Sequence, residues 1–469
     1  MRPASAAAEL LGSFVFAFTV GCNVLSGNVL ETPMGWEIAS IACALLAMMA
    51  AFGPLSGGHF NPAVSVAMLC AGKMQLMDAF VYILLQLAGT TMAMLFARQL
   101  LEEHERSVIH VAGRDVVVET IYALMLNFVI LCVSGKRNNP ENEPNQFYGI
   151  AASSTLAAGL SCTRGRKTGV AQKDWADHVF NPAITIGLGL TQIGFQVHSL
   201  VSFVIVQLVA AVAAAALFRL LRPEEKLSTD QMASYVPSLA VRLFSEFLGT
   251  TLLMLTLGLS SWENIWAAPC ALMGLVYALG DLSGGHFNPA VTAAVVLSRT
   301  RLLISADLLG YWACQVVGCF VAAVTCMILI PGFHWDLGPK APFQAGAAYI
   351  MELTFSIILC LAVLAVSCIK GINSIYSRNF YFGLAIGVAL LAGCLCCAKI
   401  SGACFNPAIS LAVAVSSLVQ GRMSSAFYAS NYCFIELLAG VIAAILFRAT
   451  HAREYTPKEV TADLQARMP

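Results

Sequence analysis

Residues 56–64 read SGGHFNPAV, and residues 283–291 read SGGHFNPAV again. The core FNPA returns at 180–183 and 405–408, so Asn-Pro-Ala occurs four times: Asn61, Pro62 and Ala63; Asn181, Pro182 and Ala183; Asn288, Pro289 and Ala290; Asn406, Pro407 and Ala408. At average residue usage a given tripeptide should appear about 0.06 times in a chain of this length. A single copy would read as a helix N-cap and first turn, because Asn caps well and Pro suits the first helical position. The spacing asks for more. Asn61 to Asn288 is 227 residues and Asn181 to Asn406 is 225, while the Asn-to-Asn distance inside each copy is 120 and then 118. The chain is a repeat inside a repeat.

Each motif opens an apolar stretch of about ten residues, too short to span a bilayer and suited to a half-helix that re-enters it. Longer apolar segments lie near 6–25, 37–55, 77–99, 112–134, 147–163 and 197–220, and again near 239–260, 265–282, 304–330, 346–368, 379–398 and 424–449. The fifth is short. Of the 469 residues 58% are hydrophobic and 11% charged, against about 25% charged in an ordinary soluble domain. The bilayer is therefore the expected solvent, and the fold class is an all-α integral membrane protein. A formal net charge of zero with no long basic run gives no hint of nucleic acid. Most of the sixteen cysteines sit in apolar runs such as CLCC at 394–397 and read as small apolar residues. The N-terminal segment could pass for a cleaved signal, but Glu9 interrupts it and its pattern returns as SEFLGTTLLMLTLG from Ser245, so it reads as a span.

Three spans and one half-helix make each half-repeat. Three is odd, so the second half must enter the membrane inverted, a known way to build a transmembrane pathway. Six spans return the chain to its starting side. Residues 1–222 form a first unit, 223–237 a cytoplasmic linker, 238–452 a second unit and 453–469 a polar tail. Sixteen of the 26 Lys and Arg fall on the side of the termini, which by the positive-inside rule places the termini in the cytoplasm.

The motif has a chemistry of its own. Asn61 and Asn181 each cap a half-helix, leaving the side-chain amide free to donate into a lumen. Two half-helices meeting N-terminus to N-terminus each present about half a positive charge. Water passing there would turn its oxygen to both donors, interrupting a proton-conducting chain, and cations would be repelled. Asn288 and Asn406 form the equivalent pair. A carboxylate opens the first and fourth span of each unit, at Glu9, Glu119, Glu246 and Glu352. Such residues often mark ion coupling, but these repeat with the architecture and read as acceptors for the irregular backbone of the re-entrant loops. Gln86 and Gln315 in the third spans look similar. Glu436 and Gln207 are the polar residues of the sixth spans.

SGGHFNPAV closely resembles the first signature of the aquaporins, or major intrinsic proteins, and the spans opening ELLGSF and EFLGTT resemble that family's first helix. The resemblance covers nearly the whole chain apart from link and tail. It implies two aquaporin-like hourglass units, each of six transmembrane helices plus two re-entrant half-helices, with a narrow pore per unit. It implies a passive channel for water or small neutral solutes of the glycerol, urea and ammonia class, not an enzyme, with no catalytic residue, no cofactor and no metal. Partners implied are the lipid bilayer and a second copy, since a dimer of tandem chains would supply four pores. Ordinary members carry Arg after the second motif. Here Ile184 and Ile409 stand there, followed by Thr185 and Ser410 where glycerol-type members carry Asp. By ungapped spacing the filter would be Ile41, Leu160, His178 and Ile184 in the first unit, and Ala268, Cys394, Ala403 and Ile409 in the second. An aliphatic residue after the motif is similar to the unorthodox superaquaporin branch, although that branch alters its first motif and all four are intact here. The competing functions are a secondary transporter, which twelve spans with inverted repeats also fit, and a non-conducting membrane scaffold.

Overall fold

The computed structural model describes residues 2–26, 36–101, 113–135, 147–162, 180–191, 197–228, 231, 235–260, 264–298, 307–368 and 381–452. Among these the regular structure is helical throughout. The first repeat holds α1 (Pro3–Ser26), α2 (Trp36–Ser56), α3 (Pro62–Cys70), α4 (Leu76–Leu100), α5 (Gly113–Val133), α6 (Tyr148–Cys162), α7 (Pro182–Thr191) and α8 (Val197–Leu221). The second holds α9 (Leu239–Leu259), α10 (Ala267–Ser283), α11 (Pro289–Ser298), α12 (Leu308–Leu329), α13 (Ala345–Ser367), α14 (Phe382–Cys397), α15 (Pro407–Val419) and α16 (Met423–Thr450). Nine of them are long and apolar enough to cross a membrane. Three of 15 to 17 residues, α6, α10 and α14, occupy the remaining span positions. The four half-helices α3, α7, α11 and α15 run to 9, 10, 10 and 13 residues, each starting on the motif proline.

Every half-helix begins the same way. The preceding Phe takes a left-handed backbone, with φ of 47° at Phe60, 52° at Phe180, 48° at Phe287 and 53° at Phe405. That conformation costs an L-residue roughly 1–2 kcal/mol. It is held because each ring is buried to within 1% and lies on a span glycine. A Cβ at Gly12 or Gly249 would fall inside the ring of Phe60 or Phe287. The spans here can carry no side chain at those points, and the strained Phe fixes where the chain turns into the half-helix.

The described chain divides into two compact units, Met1–Val241 with Leu255–Leu282 and Ile328–Pro331, and Arg242–Met254 with Ser283–Met327 and Gly332–Pro469. In the first, α1 runs along α4 and α5 along α8, while the half-helices cross over: α3 packs on α8 and α7 on α4. Each half-repeat thus lends its half-helix to the last span of the other. In the second unit α11, α13 and α15 pack on α16. Faces that meet are lined by small residues, such as Ala93 and Ala97 of α4 and Ala210, Ala211 and Ala214 of α8, while Leu76, Phe80 and Leu84, or Val197, Val201 and Ile205, point outward. Small inside and large apolar outside is the pattern of helices packed in lipid, where close backbone approach replaces the hydrophobic drive. The first unit also buries Arg222, just after α8. Its guanidinium donates to both carboxylate oxygens of Asp281, at 2.7 and 2.6 Å, and to the Ala278 carbonyl at 2.6 Å. This bidentate geometry suits a buried ion pair. Asp281 stands where the first repeat has Pro54.

Candidate functional site

The side-chain oxygen of each motif Asn closes the first turn of its half-helix, accepting from Ala63, Ala183, Ala290 and Ala408 N–H at 2.9, 3.0, 2.9 and 3.1 Å. The nitrogens are then exchanged. Asn61 Nδ2 donates to the Phe180 carbonyl and Asn181 Nδ2 to the Phe60 carbonyl, both at 2.9 Å. Asn288 and Asn406 do the same to Phe405 and Phe287 at 2.8 Å. The left-handed Phe turns its carbonyl toward the opposite cap. This corrects the expectation of fully free amides: one hydrogen of each Nδ2 is committed across the pair, and one is left over.

Behind each pair stands a buttress. Glu9, fully buried, accepts from Ser56 Oγ at 2.6 Å, His59 N at 3.0 Å, Phe60 N at 2.9 Å and Gln86 Nε2 at 2.8 Å. Glu246 repeats this with Ser283, His286 N, Phe287 N and Gln315 at 2.6, 3.0, 2.7 and 2.8 Å. Glu119 accepts from Phe180 N at 2.8 Å and from Gln207 Nε2. Glu352 accepts from Ser401 Oγ, from Cys404 N at 3.1 Å and from Phe405 N at 2.9 Å. Each carboxylate thus ties the backbone entering a half-helix to a neighbouring span, and a buried polar group needs such partners.

The Gln amides have a second partner that the sequence reading does not name, the hydroxyl four residues after each motif Asn. Gln86 donates to Ser65 at 3.0 Å, Gln207 to Thr185 at 2.9 Å and Gln315 to Thr292 at 2.9 Å. These hydroxyls pass their own hydrogen to the carbonyl of Asn61, Asn181 or Asn288, at 3.4, 3.1 and 3.0 Å. Ser or Thr recurring at that spacing after all four Asn was the signal. His59 and His286, two residues before the caps, bond Ser65 and Thr292 at 3.1 and 3.2 Å through Nδ1. Their place in the exact SGGHF repeat hides a polar side chain aimed at the site.

Next to Asn61 and Asn181 lies a cavity also lined by His59 and by Phe16, Leu45, Met49 and Leu156. It offers about 10 Å³ to the centre of a water-sized sphere, the room of a single water. Ile41 and Leu160, both buried, stand four residues from Leu45 and Leu156 and share their helix faces. Ile184, Ala268, Cys394 and Ile409 are buried too, and Ala403 is half-buried with φ of 54°. His178 lies outside the described residues. Among the described residues no cluster of His, Cys, Asp and Glu is arranged to hold a metal.

The family model described as Major intrinsic protein matches residues 3–172, 176–261 and 257–447. The chain belongs to the major intrinsic protein family. Aquaporin A of Dictyostelium discoideum is 32% identical over 225 residues, covering 44% of this chain and 76% of that protein. The glycerol uptake facilitator protein-like 6 of Lactiplantibacillus plantarum is 28% identical over 44% of this chain and 94% of its own length. Aquaporin-8 of Notomys alexis is 33% identical over 38% and 66%. The X-ray structure of the aquaglyceroporin from Plasmodium falciparum aligns with a TM-score of 0.37 and 23% identity, over 45% of this chain and 94% of that one. Nearly the whole of the Lactiplantibacillus relative maps onto under half of this chain, so this family member is built at twice that length.

Proposed function

We propose that this major intrinsic protein is a passive membrane channel for water and small neutral solutes of the glycerol, urea and ammonia class, with one pore in each repeat. The observation that carries this reading is the reciprocal pair of Asn caps, Asn61 with Asn181 and Asn288 with Asn406, bonded to each other's Phe carbonyls. Each cap keeps one N–H for a passing solute. The paired half-helix N-termini add positive potential there, which turns water oxygens inward and repels cations. The names of the relatives, aquaporins and a glycerol uptake facilitator, support a channel of this kind.

In this reading Glu9, Glu119, Glu246 and Glu352 are structural carboxylates that hold the turns into the half-helices, not coupling sites. Among the described residues the donors they are seen to accept from are hydroxyls, amides and backbone N–H groups, which argues against a transporter. Ile41, Leu160, His178 and Ile184 line the first filter, and Ala268, Cys394, Ala403 and Ile409 the second. With no Arg at either, the barrier to solutes wider than water is lower. The termini face the cytoplasm, and two chains associate to supply four pores. The small, mostly apolar cavity beside Asn61 favours a second reading, a scaffold that does not conduct. Stopped-flow swelling of proteoliposomes in water, glycerol, urea and ammonia gradients tests the choice. Facilitated entry independent of ion gradients is expected. Vesicles no more permeable than protein-free ones would leave the scaffold, and dependence on an ion gradient would leave a transporter.

A further inference from the structure

The fourth buttress breaks the pattern of the other three. Its last span carries Glu436 where Gln86, Gln207 and Gln315 stand, and Glu436 and Glu352 are both fully buried. A Gln amide brings two hydrogens, one for the buttress carboxylate and one for the hydroxyl four residues past the Asn. An ionised Glu436 would bring none. It would also set a second negative charge beside Glu352 with no cation among the described residues to offset it. The groups facing Glu436 are Glu352 and Cys360 from α13, Cys404 and the backbone of Asn406 before α15, Ser410 on α15, and Tyr432 and Cys433 on its own helix. None of them is a base.

The hydrogen count shows what is missing. Ser410 Oγ lies 3.0 and 2.9 Å from the two Glu436 oxygens and 3.1 Å from Cys404 Sγ, and Cys404 Sγ lies 3.7 Å from the Asn406 carbonyl. Ser410 has no bond of its own to that carbonyl, unlike Thr185 and Thr292. Three contacts in a row need three hydrogens, and the hydroxyl and thiol supply two. A proton on Glu436 supplies the third. The chain then runs in one direction: Glu436 O–H to Ser410, Ser410 O–H to Cys404, and Cys404 S–H to the backbone of the cap Asn406. Glu352 already collects three donors of its own, so the extra hydrogen is assigned to Glu436.

We propose that Glu436 is a protonated carboxylic acid at neutral pH, standing in for glutamine, and that the second repeat therefore carries a proton-binding site wired to its own Asn cap. Two close buried carboxyls do not both ionise readily, so the pair titrates as a unit. In alkaline solution a base takes the Glu436 proton. Ser410 then turns its hydrogen to the new carboxylate, the Ser410–Cys404 link loses its hydrogen, and the seat of Asn406 loosens. Permeability through the second repeat falls, while the first repeat, with Gln at both places, does not respond. That arm rests on the channel reading above.

Infrared difference spectra of the full chain in lipid vesicles, stepped from neutral to alkaline pH, test the site without any need for conduction. The wild type should lose the carbonyl band of a protonated carboxylic acid, and Glu436→Gln should lack that band from the start. Glu352→Gln, which removes the neighbouring charge, should move the loss to lower pH. Permeability of the same vesicles should drop by about half with the loss of one pore's share as the like charges form, and should be flat with pH in Glu436→Gln. A wild type without the band, a band that survives in Glu436→Gln, or a loss unmoved by Glu352→Gln would overturn the site. Permeability unchanged across the pH at which the band disappears would overturn the switch. Since the infrared arm reads the proton directly, its failure stands apart from any failure of the channel reading.

Discussion

Gln315 and Glu436 hold the same station on the last spans of their half-repeats, yet one brings two N–H donors and the other a carboxyl. Around Gln315 every hydrogen has a place: Glu246 takes one at 2.8 Å, Thr292 takes one at 2.9 Å, and Thr292 hands its own to Asn288 at 3.0 Å. Around Glu436 the same backbone turn and the same Asn cap persist, but the wiring runs through Cys404, which stands where His286 stands in the other half. The difference teaches that the shape of the re-entrant turn and its supply of hydrogens are separate constraints. A residue of similar size can replace Gln provided the missing hydrogen arrives by another route.

The comparison is broken or sharpened by four tests. The largest effect is expected from the buttress carboxylates. Glu246→Ala leaves four buried donors without their acceptor and should cost about 3–5 kcal/mol. Glu352→Ala strands three donors where Glu246→Ala strands four, so its loss should be smaller. Thermal unfolding of both variants in the same detergent measures this, and equal losses would mean that the fourth donor, Gln315, adds nothing to the buttress of Glu246.

Next comes mercury. Cys394 and Cys404 stand in the second repeat where the first has Leu160 and Val179. A mercurial that reaches the lumen should bond sulfur there and block about half of the water permeability. The double variant Cys394→Ser with Cys404→Ser should escape inhibition. If it is inhibited as fully as the parent, the sensitive thiols lie elsewhere among the sixteen.

A smaller change is expected at the filter. Ile409→Arg restores a fixed cation and several donors and should cut glycerol and urea entry more than water entry, with Ile184→Arg doing less in the first repeat, where Ile41 and Leu160 are bulkier than Ala268 and Cys394. Unchanged glycerol flux in Ile409→Arg would show that this position does not line the pore. The smallest effect belongs to Ala403, which adopts φ of 54° where Gly58 and Gly285 occupy two of the other three turns. Ala403→Gly removes the left-handed penalty but adds unfolded-state freedom, for a net gain of about 0.5–1 kcal/mol in unfolding free energy. A loss of stability on that change would mean that the methyl packs better than the strain costs.

Most of the architecture was legible because it repeats. Four Asn-Pro-Ala copies at spacings of 120, 118, 227 and 225 leave little choice but two inverted pairs of half-helices, and the spans fell within a few residues of α1 to α16. What stayed hidden was pairing across long sequence distance. That Asn61 gives a hydrogen to the Phe180 carbonyl depends on the left-handed Phe, and nothing in the identity of a phenylalanine announces a positive φ. Gln207 and Glu436 look like isolated polar residues in apolar spans until the folded chain sets them on Thr185 and Ser410. Asp281, at the end of the span 265–282, shows no partner in the sequence, and only the folded chain reveals its bidentate bond to Arg222 where the first repeat has Pro54.

Gly12 and Gly249 sit under the rings of Phe60 and Phe287, so each repeat carries its own copy of a contact that admits no side chain. A ring assembled from identical single-repeat chains would impose any change at such a point, or at a station like that of Glu436, on all its sites at once. Two repeats in one gene are free to diverge one site at a time. Glutamine and glutamate codons differ by a single base, so one point mutation suffices to give one half of this chain a titratable group while the other half keeps working unaltered.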